Sequence, residues 1–321
     1  MSAAGGPQQQ RRPRRRVDGV ILVDKPTGLT SNAVLQRVRR AFCAEKAGHT
    51  GTLDPLASGL LPICFGEATK FAVALLDADK RYRAVIELGV KTETGDREGA
   101  VIFTAESPSD LASIEAVVAK FRGDILQRPH RYSAIKRDGR PLYSYARAGV
   151  DITIEARAVC IHALDVIEWS RPHLTVDVLC SKGTYIRSLA EDIGDSLGCG
   201  AHVKELRRTK VAHLTVDDAV SLGELEASTP EKRDATLRPI TMLVAPLPFI
   251  DLDAEAARRF LQGQRIALAL GRATTKELNK PVAVMDRTPG DGKLLGLGTL
   301  VQGENSIVLV PSRVISSPHT A

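Results

Sequence analysis

The apolar residues of this chain recur at two periods, about two and about 3.6, that never settle into a regular strand–helix–strand beat. That restricts its architecture more than any other feature. Tyr82, Ala84, Ile86 and Leu88 fall on one face of an alternating pattern and predict a strand over 82–88. GVILVDKP (19–26) reads as a buried strand that ends at a Pro–Thr–Gly turn. From Thr30 or Ser31, a capping residue precedes helical spacing, with Leu35, Val38 and Phe42 inward and Arg37, Arg39 and Arg40 on the remaining faces. Residues 108–121 and 187–197 read as helices and 159–166 and 174–180 as strands, while 48–69, rich in glycine and proline, reads as an ordered loop region. Short strands mixed with helices favour an α+β fold over a doubly wound parallel sheet.

A length of 321 residues suggests about two domains. The composition shifts over 227–248, where Thr229–Pro230, Pro239, Pro246 and Pro248 punctuate the chain, so a boundary is expected near 247. Beyond it, a helix over 253–261 and strands at 281–286, 294–301 and 306–310 suggest a small β-barrel-like module over 247–314, followed by a tail, 315–321. The five cysteines (43, 64, 160, 180 and 199) form no CxxC, which argues against a disulfide framework or a zinc site. No apolar run is long enough for a membrane helix and no secretory leader follows Met1, so a soluble, cytoplasmic protein is expected.

Charge is informative only where it clusters. The formal net charge is +6, and residues 1–16, a Gly/Pro/Gln/Arg arm read as disordered, hold five arginines and no acid. In the near-neutral remainder, residues 126–147 carry Arg128, Arg131, Lys136, Arg137, Arg140 and Arg147 against Asp138 alone. Lys204, Arg207, Arg208 and Lys210 face only Glu205 over 200–213. Such stretches suit a phosphate backbone, and equally a solvated charged face.

No P-loop, GxGxxG, GxSxG or HExxH is present, which removes the simple NTPase, dinucleotide, hydrolase and zinc-protease readings. What remains is GHTGTLDPLASGLLP (48–62), where Pro55 biases Asp54 toward extended geometry and constrains its carboxylate. From pattern alone Asp54 is a nucleophile or a turn residue. Arg187, following the Gly183–Thr184 turn, and Tyr82, within KRYR, are a surface cation and a core aromatic, or partners of that aspartate. An aspartate, an arginine to orient it and an aromatic to stack on a base would suit chemistry on an extruded nucleotide.

The segment GHTGTLDPLASGLLPICFGEATK (48–70) resembles the catalytic motif of the bacterial tRNA pseudouridine-55 synthases, the TruB family. GVILVDKPTGLTSN (19–32), KRYRAVIELG (80–89), YSAIK (132–136), CSKGTYIRSLAEDIG (180–194) and LGCGAHVKELRRTKVA (197–212) extend the resemblance in the family's order and spacing. A weaker resemblance, through GLGTLV (296–301), links the C-terminal part to PUA-type RNA-binding modules. The resemblance implies a catalytic domain over 17–246 with a mixed, largely antiparallel sheet and a thumb-like insertion at about 124–152.

It further implies isomerisation of the T-loop uridine at tRNA position 55, with Asp54 as the attacking carboxylate, Tyr82 stacked on the flipped base and Arg187 paired with Asp54. His49 is implied to support displaced T-loop bases, Lys25 the active site, and Leu206 the apolar floor. Arg128, Arg131, Lys136, Arg137, Arg140, Arg147, Lys182, Lys204, Arg207 and Arg208 are the candidate RNA contacts. No cofactor or metal is implied, because the substrate is rearranged without redox change. The partner implied is tRNA, met by a monomer without obligatory protein partners. Rival readings are a guide-RNA-dependent enzyme of the dyskerin type, which lacks the insertion, an RNA-folding factor, whose role could also accompany catalysis, and a general basic RNA-binding protein.

Overall fold

The computed structural model describes residues 13–133, 135–150, 152–268, 278–287, 292–304 and 306–316. The strand–helix mixture resolves into one large mixed sheet. Its strands run in the order Val220–Ser221, Gly19–Lys25, Ser58–Phe65, Ala201–Val211, Lys80–Leu88, His173–Cys180, Arg157–Ser170 and Gly123–Gln127. Ala47–His49 and Leu214–Thr215 pair at its margins. Among the described residues, the strands of this sheet pair in parallel only between Gly19–Lys25 and Val220–Ser221 and, over two residues, between Ser58–Phe65 and Ala201–Val211. The sheet is therefore mixed and largely antiparallel, as expected for the α+β class.

Helices cover the sheet where the apolar spacing predicts. Thr30 caps the helix Ser31–Ala41 by accepting the Ala33 N–H at 3.0 Å, and Leu35, Val38 and Phe42 are buried beneath it. The helix Ile186–Ser196 lays Leu189, Ala190 and Ile193 onto a core that includes Ala84, Ile86, Val176 and Val178 from the central strands. The helix Leu111–Ala119 joins the same core through Ile114 and Val118.

Two central strands escape the sequence reading. Ser58–Phe65 lies within the expected loop region, yet it is a strand whose residues 59–65 are all buried. Burial on both faces removes the alternation that marks a half-exposed strand, and Pro62 inside it is normally a sign against a central strand. Ala201–Val211 has register shifts after Val203 and after Arg208, so its inward residues are Val203, Leu206, Arg208 and Val211 rather than every second one.

The C-terminal part forms a five-stranded sheet in the order Phe249–Leu252, Pro281–Asp286, Leu294–Gln302, Ile307–Val314, Ile266–Leu268, with the helix Ala254–Leu261 packed on it. Ala283, Leu294 and Leu297 of this sheet share a core with Val20 and Leu22 of the larger one and with Phe71 and Leu75 of the helical segment that follows Ser58–Phe65. Lys70 ties the same junction, its Nζ lying 2.8 Å from Glu67, 3.1 Å from the Val314 carbonyl and 2.8 Å from Ser316 Oγ. Of the basic arm, residues 1–12 lie outside the described residues. Arg15, by contrast, is seated: its N–H donates to the Cys43 carbonyl and its guanidinium pairs with Asp234. Residues 317–321 of the tail also lie outside the described residues. Among the described residues no helix is long and apolar enough to cross a membrane.

Candidate active site

The loop that presents Asp54 is fixed from beneath by the DKPTG turn. Ser31 Oγ accepts the Leu53 N–H at 2.7 Å and donates to the Leu53 carbonyl at 2.9 Å. The Gly28 N–H donates to the Pro55 carbonyl at 2.8 Å. Lys25 is fully buried, and its ammonium donates to the carbonyls of Pro26 at 2.9 Å and Ala57 at 2.7 Å. Burial lowers the Lys25 pKa to about 8, against the opposing pull of the Asp54 carboxylate. Gly59 closes the loop at φ +102°, where a Cβ would fall 2.2 Å from the Arg208 carbonyl oxygen, so only glycine lets the two strands approach.

Asp54 Oδ2 receives Arg187 Nη2 at 2.9 Å. The arginine is buried, whereas the Asp54 side chain keeps 40% of its surface exposed toward the cavity. The guanidinium is held on its other edges: Nη2 donates to the Tyr132 carbonyl and Nη1 to the Thr94 carbonyl, both at 2.9 Å, and Nη1 lies 3.4 Å from Asp96 Oδ2. Asp96 is itself buried, accepting the Thr94 hydroxyl at 2.6 Å and the Glu98 N–H at 3.1 Å. Arg187 thus bridges the part-exposed Asp54 carboxylate and the buried Asp96 carboxylate. Sequence reasoning missed Asp96 and Thr94. The available signal was the hydroxyl–carboxylate cluster Thr92, Thr94 and Asp96, a composition that folds back on its own backbone in turns.

Above the ion pair lies a cavity of about 390 Å³ lined by Asp54, Lys80, Tyr82, Arg187, Leu206 and Arg208 among others. Tyr82 and Arg208 are cross-strand partners, and Leu206 faces the same space, with Ala84 as its own partner. The sequence expectation of Arg208 on a charged face needs correction: the bulge after Val203 turns it inward, 1% exposed. Its Nε donates to the Leu60 carbonyl at 2.8 Å and Nη2 to that of Gly51 at 3.1 Å. Burial raises the Tyr82 pKa while the neighbouring Arg208 guanidinium pulls it down, and burial lowers that of Arg208. Burial, reinforced by Arg208, also lowers Lys80 to about 8.

A second cavity, about 440 Å³, adjoins the pair and shares Asp54 and Arg187 with the first. His49, Asn32, Thr94, Tyr143 and Arg147 line it. His49 Nδ1 is buried there without a hydrogen-bond partner among the described residues, and burial, followed by Arg208, lowers the His49 pKa.

The remaining sequence candidates divide into exposed cations of the 128–147 stretch and cations paired with acidic side chains. Arg128, Arg131, Lys136, Arg137, Arg140 and Arg147 are exposed, on or beside the small hairpin Lys136–Arg137/Arg140–Pro141 and the helix Leu142–Arg147. Arg131 and Arg147 lie over the rings of Tyr132 and Tyr143, and Arg137 donates to the Thr153 carbonyl. Lys182 pairs with Asp77 at 2.7 Å, and Arg207 grips Asp24 through two contacts of 3.0 and 2.7 Å. Lys204 meets His173 at 2.6 Å and Glu87 at 3.5 Å.

Residues 39–186 match the family model described as "TruB family pseudouridylate synthase (N terminal domain)", and residues 187–247 match "tRNA pseudouridylate synthase B C-terminal domain". The chain is 52% identical over 307 residues to the tRNA pseudouridine synthase B of Burkholderia mallei, covering 95% of this chain and 96% of that one. It is 50% identical over 320 residues to that of Cupriavidus pinatubonensis, covering 98% and 99%. Among solved structures, a chain of a Cbf5–Nop10–Gar1 complex aligns with TM-score 0.71 and 28% identity, covering 92% of this chain and 84% of that one. With a family match across 39–247 and relatives at half identity over nearly the whole length, the chain belongs to the TruB family of pseudouridylate synthases and is an isomerase.

Proposed function

We propose that this enzyme converts the uridine at position 55 in the T-loop of tRNA to pseudouridine. The observation that carries the reading is the Asp54–Arg187 pair at the floor of a nucleoside-sized cavity walled by Tyr82 and Leu206. The kinship with tRNA pseudouridine synthases at 50–52% identity supports tRNA as the substrate class.

A uridine inside a folded T-loop reaches the Asp54 carboxylate only after leaving its stack, which costs a few kcal/mol. Stacking on Tyr82 and contact with Leu206 offset part of that cost. Asp54 attacks the ribose C1′ and the bond from C1′ to N1 breaks; the uracil turns, and its C5 bonds to C1′ as the Asp54 carboxylate is displaced. C5 gives up its proton and N1 gains one, so atoms balance within the substrate. Tyr82 is the candidate to accept the C5 proton, its hydroxyl kept beside the Arg208 cation. Arg187, locked between Asp54 and Asp96, orients the nucleophile.

His49, with its unpartnered Nδ1 in the second cavity, supports the neighbouring displaced bases. Residues 17–246 act as the catalytic domain, the insertion at 124–152 closes over the stem-loop, and 247–314 grip the tRNA as a PUA-like module. The enzyme works as a cytoplasmic monomer without a guide RNA. An unmodified tRNA transcript incubated with the protein alone should acquire pseudouridine at position 55 and nowhere else. A transcript with cytidine there should bind without product; modification at another position would refute the site assignment.

A further inference from the structure

Where the chain leaves the large sheet to enter the insertion, it is bonded to the start of the helix that carries Arg187. The Gln127 side chain accepts the Tyr185 N–H at 2.7 Å and donates to the Tyr185 carbonyl at 3.0 Å. Ser188 Oγ donates to the Arg128 carbonyl at 2.9 Å, and Arg187 Nη2 donates to that of Tyr132. His130 sits at the centre of this join with 7% of its surface exposed. Its Nδ1 is 3.2 Å from the Tyr132 amide nitrogen and 3.5 Å from Arg187 Nη1, and its Nε2 is 3.5 Å from Glu191 Oε1, one helical turn beyond Arg187. Its ring stacks on that of Tyr132, centroids 5.9 Å apart.

Two N–H donors converge on Nδ1, so that nitrogen carries the lone pair and the ring proton sits on Nε2, facing the Glu191 carboxylate. The Tyr132 amide, and through it the Tyr132 carbonyl that holds Arg187, is thereby set by one imidazole edge. Tyr132 is also anchored at its far end, where its hydroxyl donates to Glu93 at 2.5 Å.

We propose that His130 is a positioning residue for the Arg187–Asp54 pair, its Nδ1 edge coupling the root of the insertion to the arginine. The histidine touches neither nucleophile nor cavity and acts through Arg187 and the Tyr132 backbone. The inference rests on the reading of Arg187 as the partner of an attacking Asp54. It adds that seating of the insertion and orientation of the nucleophile are one mechanical event.

The test uses the full chain and three substitutions. His130→Asn keeps an acceptor oxygen near the place of Nδ1, His130→Gln reaches instead toward Glu191, and His130→Ala keeps neither. With saturating enzyme and a tRNA transcript labelled at C5 of uracil, His130→Ala and His130→Gln should slow single-turnover tritium release about ten- to hundredfold, with tRNA affinity changed less than about threefold and His130→Asn recovering most of the rate. A His130→Ala rate equal to wild type overturns the proposal. So does an Asn variant no better than the Gln variant, which would make the residue a packing group. Asp54→Asn and Arg187→Lys run alongside: if both lose turnover while His130→Ala does not, the inference alone fails. If neither loses turnover, the reading beneath it fails too.

Discussion

Tyr82 and Arg208 face each other across two antiparallel strands and both line the cavity, so its aromatic wall stands beside a buried cation. Arg208 is in turn held by the carbonyls of Leu60 and Gly51, the second of which belongs to the loop that presents Asp54. The strand carrying the aromatic and the loop carrying the carboxylate are thus referenced to one side chain.

Arg208→Met should strand those two carbonyls and destabilise the protein by about 1–3 kcal/mol, read from denaturant midpoints. Because Arg208 draws the Tyr82 pKa down, the same variant should shift a tyrosine titration, followed by ultraviolet absorbance, to higher pH. An unmoved titration would show that the pair is not coupled.

Tyr82→Phe preserves the ring and removes only the hydroxyl. Binding of tRNA should remain near wild type while turnover falls by roughly 10²–10⁴, the range for loss of a general base. Equal turnover would restrict Tyr82 to stacking.

Lys25 has its pKa lowered by burial to about 8, and its ordinary value is 10.5. Between those values the unfolded chain binds more protons than the folded one, so this group makes stability rise as pH increases from about 8 toward 10.5. Lys80 contributes in the same window and sense. Cys64 and Cys180, both raised by burial from 9.0 to about 12, act oppositely and reduce stability as pH rises from 9 to 12. Unfolding free energies measured from pH 8 to 9 should therefore climb less steeply in Lys25→Met than in wild type. The variant should also be less stable at neutral pH by about 1–3 kcal/mol, because the Pro26 and Ala57 carbonyls lose their donor.

Exposed and engaged cations should differ in the salt dependence of tRNA binding. Each of Arg140→Ala and Arg147→Ala should reduce the slope of log affinity against log salt by up to about 0.9. Arg207→Ala and Lys204→Ala should leave it unchanged, since those side chains are committed to Asp24 and to His173 and Glu87. A slope that changes for Lys204 and not for Arg147 would invert the assignment.

The elements with clean periodicity were legible in advance: Lys80–Leu88 from its alternation, Ser31–Ala41 from its cap and apolar stripe, Ile186–Ser196 from the turn before it and Gly198 after it. What was illegible has physical reasons. Ser58–Phe65 is apolar on both faces and contains a proline, and Ala201–Val211 changes parity at two bulges, which hid the inward turn of Arg208. The residues that became the site candidates were visible as motifs, but their convergence was not. Asp54 and Arg187 are 133 positions apart, and the intervening Asp96 and His130 carry no spacing signal that ties them to either. Only the sheet order brings the four together.

The central claim is that Asp54 attacks a uridine whose C5 hydrogen must then leave. Tritium release from a tRNA transcript labelled at C5 of uracil, with wild type and Asp54→Asn measured side by side, tests it most directly. The account predicts one tritium released per tRNA by the wild type, none by Asp54→Asn, and tRNA binding retained in both. Release by Asp54→Asn at the wild-type rate would contradict it.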